Sequence, residues 1–421
     1  MKNTCSDNNV KVNIPYDNEY IVLSIPYKNY LKISEENNKY KVTDEEKVII
    51  NALNNPISSE KLSVLAKNKN KVVILVSDIT RPCPTYKFLS FLTDELEQAS
   101  VKEIEIIFGL GSHRKHTEDE KKKLVGEKIY NKYKLTDFEE SECRLVGKTK
   151  RGTPIEVFEE VLTSDLIIAT GNLEYHYFAG YSGGAKALMP GTCSRNTISA
   201  NHALMLDDKA IAGVFNDNPL RQDIEEVGKI VGIDFIYNVI LDDHKNIIAA
   251  VSGGNNDAFI EGIKLYDQIY KKEVKEKADM VITSPGGFPK DINLYQAQKA
   301  LDNVKEIVKN GGEIILVASC MEGFGENKFE EWMMHARDYQ KLYKRIKEKF
   351  VLGGHKAVAV SKIMTKSDIS IFSNFDEDVT EKIGFKKVYD LQDHINERLR
   401  QNSRLKVMVV ENGRLIKFSS K

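Results

Sequence analysis

The sequence predicts an α/β protein, built as two Rossmann-like α/β domains with a substrate or cofactor cleft between them. Three observations lead there. Apolar runs of strand length recur, among them Lys71–Ser77 (KVVILVS), Glu103–Leu110 (EIEIIFGL) and Asp165–Thr170 (DLIIAT), with helix-length stretches between them. Each of these runs ends in a loop of reactive or turn-forming residues: DITRP from Asp78, GSHR from Gly111, and GNLEYH from Gly171. In a parallel sheet such strand ends share one edge, so the three loops are expected to converge on a ligand. The alternation then restarts after the charge-rich stretch KKEVKEKAD at 271–279. The boundaries drawn from this are 1–272 for an N-terminal cofactor-binding domain and 273–403 for a smaller C-terminal domain. The segment 404–421 is left free to return to the first domain.

In order along the chain, Val10–Pro26 alternates apolar and polar residues around Pro15-Tyr-Asp-Asn18 and predicts a hairpin. Thr43 to Glu46 fits a capping box ahead of a helix to about Leu53, and Pro56 separates this from a second helix over about Ser59–Asn68. Strand Lys71–Ser77 stops at the two prolines of DITRPCP, because proline cannot extend a ladder. A helix over about Tyr86–Ala99 leads to strand Glu103–Leu110, and Thr117 to Glu120 forms a second capping box. Ser194–Leu206 reads as a helix whose free amides suit a phosphate. Phe235–Leu241 and Ile247–Val251 read as paired strands, and Asn256–Lys271 as a long helix. In the second half, strands are expected at Ala278–Ser284, Glu313–Ala318, Ile369–Ser373, Val388–Asp390 and Leu405–Val410. Helices are expected over about Leu294–Lys309, Lys328–Lys349, Lys356–Met364 and Leu391–Arg400.

Composition removes several function classes. With 61 basic and 62 acidic residues, no basic face emerges, so neither nucleic acid nor an anionic membrane is an expected partner. No apolar run is long enough to span a bilayer, and the N-terminus has no apolar core of a signal peptide. Five cysteines, odd in number and without CxxC spacing, argue against a disulfide framework or a structural zinc site and for a cytoplasmic protein.

The stretch Gly171–Leu204 concentrates the candidate chemistry. It holds His176, His202 and Lys186, the lysine lying behind Gly180, Gly183 and Gly184. Gly180–Ala187 is not a P-loop, because Ala185 replaces the glycine and Ala187 the hydroxyl that a P-loop needs. His113 and His176 sit in separate strand-end loops, and two imidazoles facing one substrate can alternate as base and acid near neutrality; two unrelated surface histidines are the plain alternative. Arg81, held in a prolyl loop, suits a bidentate carboxylate contact. Gln296 and Lys299, three apart, share a helix face.

Taken together, DITRP at Asp78–Pro82, GSHR at Gly111–Arg114, EYHYFAGYSGGAKALMPG at Glu174–Gly191, SANH at Ser199–His202 and GGFPKDINLYQAQK at Gly286–Lys299 resemble the nickel-pincer-dependent lactate racemase family of 2-hydroxyacid racemases and epimerases, over nearly the whole length. The resemblance implies a nickel-pincer nucleotide, pyridinium-3,5-bisthiocarboxylic acid mononucleotide nickel, attached covalently at Lys186, with His202 as the protein ligand to nickel. A soft sulfur-rich donor set with one imidazole suits that metal. It implies His113 and His176 as the acid–base pair of a hydride exchange through a 2-oxoacid, with Arg81, Gln296 and Lys299 on the substrate. Asp78, Gly183 and Gly184 fall beside the cofactor. It also implies cofactor-maturation enzymes as partners. One departure concerns the substrate. The lactate-specific pattern places a tryptophan over the substrate; here the only tryptophan is Trp332, in an expected helix, and the corresponding region reads Leu352-Gly-Gly-His-Lys356. The reaction type follows from the resemblance, but lactate does not. His355 and Lys356 are either substrate contacts or surface residues.

Two other classes fit the same residues. One is a non-catalytic binder of a nucleotide or hydroxyacid. The other is a divalent-metal-dependent lyase using His176 and His202, with Glu174 or Asp207 as carboxylate ligands.

Overall fold

A computed structural model describes residues 8–33, 44–242, 244–274, 276–412 and 418–420. Cys5 and Thr43 lie outside them. The chain forms two compact units: Met1–Glu36 joins Tyr270–Lys421, and Asn37–Ile269 stands as a middle unit. The first 36 residues group with the chain from Tyr270 onward rather than with the residues that follow them.

The reason is the apolar face of the N-terminal hairpin. Strands β1 (Asn9–Tyr16) and β2 (Glu19–Pro26) pair antiparallel from Asn9 opposite Pro26 to Tyr16 opposite Glu19. Their alternation puts Val10, Val12, Ile14, Leu23 and Ile25 on one face. That face is buried in one cluster with Met280, Ile282, Ile315, Val317, Leu391, Val407 and Val409. Asn29 fixes the end of the hairpin by donating to the carbonyls of Ser403 and Leu405, at 3.0 and 2.8 Å.

The middle unit is built on six strands in the order β12-β11-β8-β3-β4-β5. These are β3 (Lys71–Ser77), β4 (Glu103–Gly109), β5 (Lys134–Asp137), β8 (Leu166–Asn172), β11 (Phe235–Leu241) and β12 (Ile247–Gly253). All neighbours are parallel except β12, which runs antiparallel to β11. The apolar runs form strands because both faces of the sheet are covered: every residue of β8 is buried, as are the five central residues of β3. Two strands not expected from the sequence, β6 (Cys143–Lys148) and β7 (Pro154–Phe158), make a separate hairpin between β5 and β8. The expected helix over Ser59–Asn68 shrinks to the single turn Leu62–Leu65. Ile57 is drawn off into a bridge with Gly253, and Asn68 adopts φ +63°.

The helix Pro219–Val231 is also new relative to expectation, although its ends are well marked. Asn218 caps it, Pro219 takes the first turn and Gly232 closes it in the left-handed region.

The C-terminal unit holds a parallel sheet in the order β17-β16-β15-β14-β18. Its strands are β14 (Ala278–Thr283), β15 (Val308–Val317), β16 (Asp368–Phe372), β17 (Lys386–Lys387) and β18 (Val407–Val410). A short parallel pair, β13 (Lys272–Val274) with β19 (Phe418–Ser420), accompanies it. The expected strand at Val388–Asp390 falls at β17 instead, because Asp390 is used as the N-cap of the helix Leu391–Gln401. The long helix expected over Lys328–Lys349 is two helices, Asn327–Met333 and Tyr339–Glu348, the second capped by Asp338.

Candidate active site

In the middle unit β8, β3 and β4 are adjacent and parallel, so the loops after them leave one edge of the sheet side by side. The first loop carries Asp78, buried at the end of β3. Its carboxylate accepts the Thr80 amide at 2.7 Å, and Nδ1 of His113, from the loop after β4, lies 3.2 Å away. The Arg81 guanidinium stands 3.6 Å from the same carboxylate oxygen. Burial opposes the charge of Asp78, but His113, Arg81 and Thr80 outweigh it and hold the carboxyl at about 2. Asp78, Arg81 and His113 thus form one polar cluster. The His113 ring and the Arg81 guanidinium are not enclosed: their side chains are 39% and 48% exposed, open to a ligand.

The loop after β8 turns through a two-stranded ribbon, β9 (Tyr175–His176) and β10 (Gly180–Tyr181), with His176 opposite Gly180. Nδ1 of His176 accepts the Ala179 amide at 3.2 Å. In the neutral imidazole Nε2 then carries the ring proton. The ring stacks on Tyr177 at 5.2 Å and meets the Phe178 edge at 4.5 Å. Phe178 also meets His202 at 4.9 Å, so this one aromatic ring is shared by the two histidines.

Lys186 sits in the 3₁₀ turn Gly184–Ala187. Part of its surface stays accessible. Desolvation nevertheless dominates, and with the charges of Arg81 and Arg221 it pushes the amine well below its ordinary value, against Glu174. His202, near the end of the helix Arg195–Ala203, is pushed down to about 3 by burial and then by Lys186, against a hydrogen bond to the Ile198 backbone. The Lys186 amine thus holds its proton less firmly than an ordinary lysine, and His202 is a neutral imidazole at neutral pH. Gly183 and Gly184 have φ +85° and +59°. A Cβ on Gly183 would stand 2.9 Å from Asn238 Oδ1, and one on Gly184 2.8 Å from the Phe259 ring. The absent side chains therefore let the turn seat against its own core.

In the C-terminal unit Gln296 and Lys299 lie on the helix Leu294–Val304, and the Lys299 amine donates to Gln296 Oε1 at 2.8 Å. His355 and Lys356 are not surface residues: they are 3% and 4% exposed. Lys356 donates to the Tyr295 carbonyl at 2.7 Å and lies 3.3 Å from the centre of its ring. Burial, then Lys299, lowers its affinity for a proton, against Glu326. Trp332 is fully buried, with Gly354 pressed against it and Arg345 4.2 Å from its ring.

Family models for the lactate racemase N-terminal and C-terminal domains match residues 16–213 and 273–416. The lactate racemase of Thermoanaerobacterium thermosaccharolyticum is 33% identical over 343 residues, 80% of each chain. The chain belongs to the lactate racemase family. A second lactate racemase, from Lactiplantibacillus plantarum, is 32% identical over 76% of this chain and 77% of its own. The structure of the Thermoanaerobacterium thermosaccharolyticum lactate racemase apoprotein superposes with a TM-score of 0.87 at 27% identity, covering 97% of this chain and all of the other. Membership of the lactate racemase family makes the chain an isomerase.

Three supports of this candidate site are not apparent from the sequence. Arg221, wholly buried, donates to the carbonyls of Tyr181 and Gly183 at 2.8 and 3.1 Å and pairs with Glu225 at 2.5 Å. It clamps the glycine turn ahead of Lys186. Asp267 accepts the hydroxyls of both Tyr175 and Tyr181 at 2.9 Å, which braces the ribbon of His176. Asp223 gathers Thr149, Thr153 and Asn201, the neighbour of His202. Arg221 and Asp223 are buried and Asp267 half-buried, which the sequence alone does not reveal.

Proposed function

We propose that the chain interconverts the stereoisomers of a 2-hydroxyacid, lactate or a related hydroxycarboxylate, through a planar 2-oxoacid, with a nickel-pincer nucleotide tethered at Lys186. The observation that carries this reading is Lys186 and His202, two desolvated nitrogen groups, beside the Asp78–Arg81–His113 cluster. The residues fit the group. An amine whose affinity for a proton is lowered is more readily acylated, and a neutral imidazole offers its lone pair to a metal. Lys186 would hold the nucleotide and His202 the nickel; when bound, the group supplies a hydride acceptor and donor. Among the described residues no three or more His, Cys, Asp or Glu side chains are grouped to hold a metal ion by themselves. A lyase built on His176, His202 and a carboxylate needs such a group, so the geometry favours a cofactor that brings its own donors.

The chain's own residues then have separable tasks. His113, oriented by Asp78, takes the hydroxyl proton of one stereoisomer and returns it to that same form. The family resemblance gives His176 the same task for the other. Two bases are needed because the two forms present the hydroxyl differently once the carboxylate is held. Arg81 supplies a fork for that carboxylate. Gln296 and Lys299 keep the substrate-binding role that the family resemblance gives them.

The test is intact mass, peptide mapping at Lys186 and nickel content of protein made together with the cofactor-building enzymes. The expected result is an adduct of several hundred daltons on Lys186 with nickel bound, and its loss in Lys186→Ala. The loaded chain is expected to racemise or epimerise at least one member of a panel of chiral 2-hydroxyacids. An unmodified lysine, in a preparation where a known family member is modified, overturns the proposal.

A further inference from the structure

GSHRKH contains two histidines, and only His113 has been given a task. His116 is buried. Its backbone amide donates to Asp137 Oδ2 at 3.2 Å, and its Nδ1 lies 2.7 Å from Asp137 Oδ1. Asp137 ends β5. Burial raises its carboxyl, but His116 and Lys121 outweigh that and keep it ionised, so it accepts and Nδ1 carries the proton. Nε2 is left with its lone pair, and the backbone amide of Ile79 donates to it at 3.1 Å. The ring rests on Phe108 at 4.9 Å. Strand order makes this arrangement available: β5, β4 and β3 are neighbours, so a residue in the loop after the middle strand reaches both sides.

A carboxylate–imidazole pair usually presents a base to a substrate. Here the basic nitrogen is occupied by a main-chain amide, and that amide lies between Asp78 and Thr80. We propose that His116, with its tautomer set by Asp137, is a positioning residue for the loop 78–81, holding the Asp78 carboxylate and the Arg81 guanidinium in place for the substrate and for His113. The proposal takes the use of that loop in turnover from the functional reading above; the contact with Ile79 stands without it.

Three substitutions separate the two ends of the ring. His116→Asn reaches only as far as Nδ1, so it keeps the bond to Asp137 and loses Ile79. His116→Gln reaches as far as Nε2 and offers Ile79 a carbonyl oxygen. Asp137→Asn presents an N–H to Nδ1, which forces the proton onto Nε2 and blocks the Ile79 bond. Amide hydrogen exchange on the chain as purified is expected to show Ile79 protected in the parent and in His116→Gln. It is expected to exchange at least about tenfold faster in His116→Asn and Asp137→Asn. In the cofactor-loaded protein kcat/KM is expected to fall about 10- to 100-fold in the latter two, with His116→Gln within a few-fold of the parent. A merely structural role predicts no rescue by glutamine over asparagine when the two melt alike. Unchanged Ile79 exchange in both disrupting variants overturns the proposal, and so does faster exchange with unchanged kcat/KM. Absence of turnover in the loaded parent counts against the functional reading, and the exchange rates then decide the positioning role by themselves.

Discussion

Asp78 has the clearest electrostatic signature among the residues of the candidate site. Its carboxyl is held at about 2, against an ordinary 3.8. A carboxyl depressed in the folded state stabilises the fold above its unfolded value and loses that contribution as pH falls through its folded value. The contribution is of the order of 2 kcal/mol, present above about pH 4 and gone near pH 2. Urea midpoints of the parent and of Asp78→Asn are therefore expected to differ at pH 6 and to draw together only as pH falls to about 2; a gap that does not change with pH contradicts the cluster. At this scale the candidate residues were legible, because His113, His176, Lys186 and His202 announce their chemistry by type. Their supports were not. Arg221 acts on Gly183, 38 positions earlier, and a lone arginine on a helix reads as a solvated face until the fold buries it.

The glycine turn before Lys186 shows what an element asks of its sequence. Gly184 combines a left-handed φ with a Cβ position already occupied by Phe259 and Arg221. Gly184→Ala is expected to cost about 2–4 kcal/mol in urea unfolding, from strain and overpacking together. A loss under 0.5 kcal/mol, within the range of an ordinary surface change, contradicts the crowding. Elements were legible where burial is two-sided. Strand β3 was read to the residue from KVVILVS, since a strand covered on both faces must be apolar throughout. The hairpin β6–β7 was not, because Arg144, Leu145 and Val146 are exposed and no apolar run marks it. The single turn Leu62–Leu65 was overcalled, since local periodicity is blind to the bridge that Ile57 makes with Gly253, 196 positions away.

For the whole molecule, the division into units was the least legible feature. A strand's alternation says which face is buried and nothing about what buries it. The hairpin's face is completed by residues beyond 280. Residues 37–269 produced alone are therefore expected to melt cooperatively. Residues 270–421 are expected to stay loose until a 1–36 peptide is added, with circular dichroism as the readout. Cooperative melting of 270–421 by itself contradicts the assignment. The same arrangement has a consequence for synthesis. The hairpin leaves the ribosome ahead of the strands it packs with, and its neighbour β18 follows about 380 residues later. At ordinary elongation rates the nascent chain carries that bare apolar surface for roughly 20–80 s. During this interval the middle unit is complete and the hairpin is not. A segment made early is among the last to fold, and in the cell it is the natural place for a chaperone to hold.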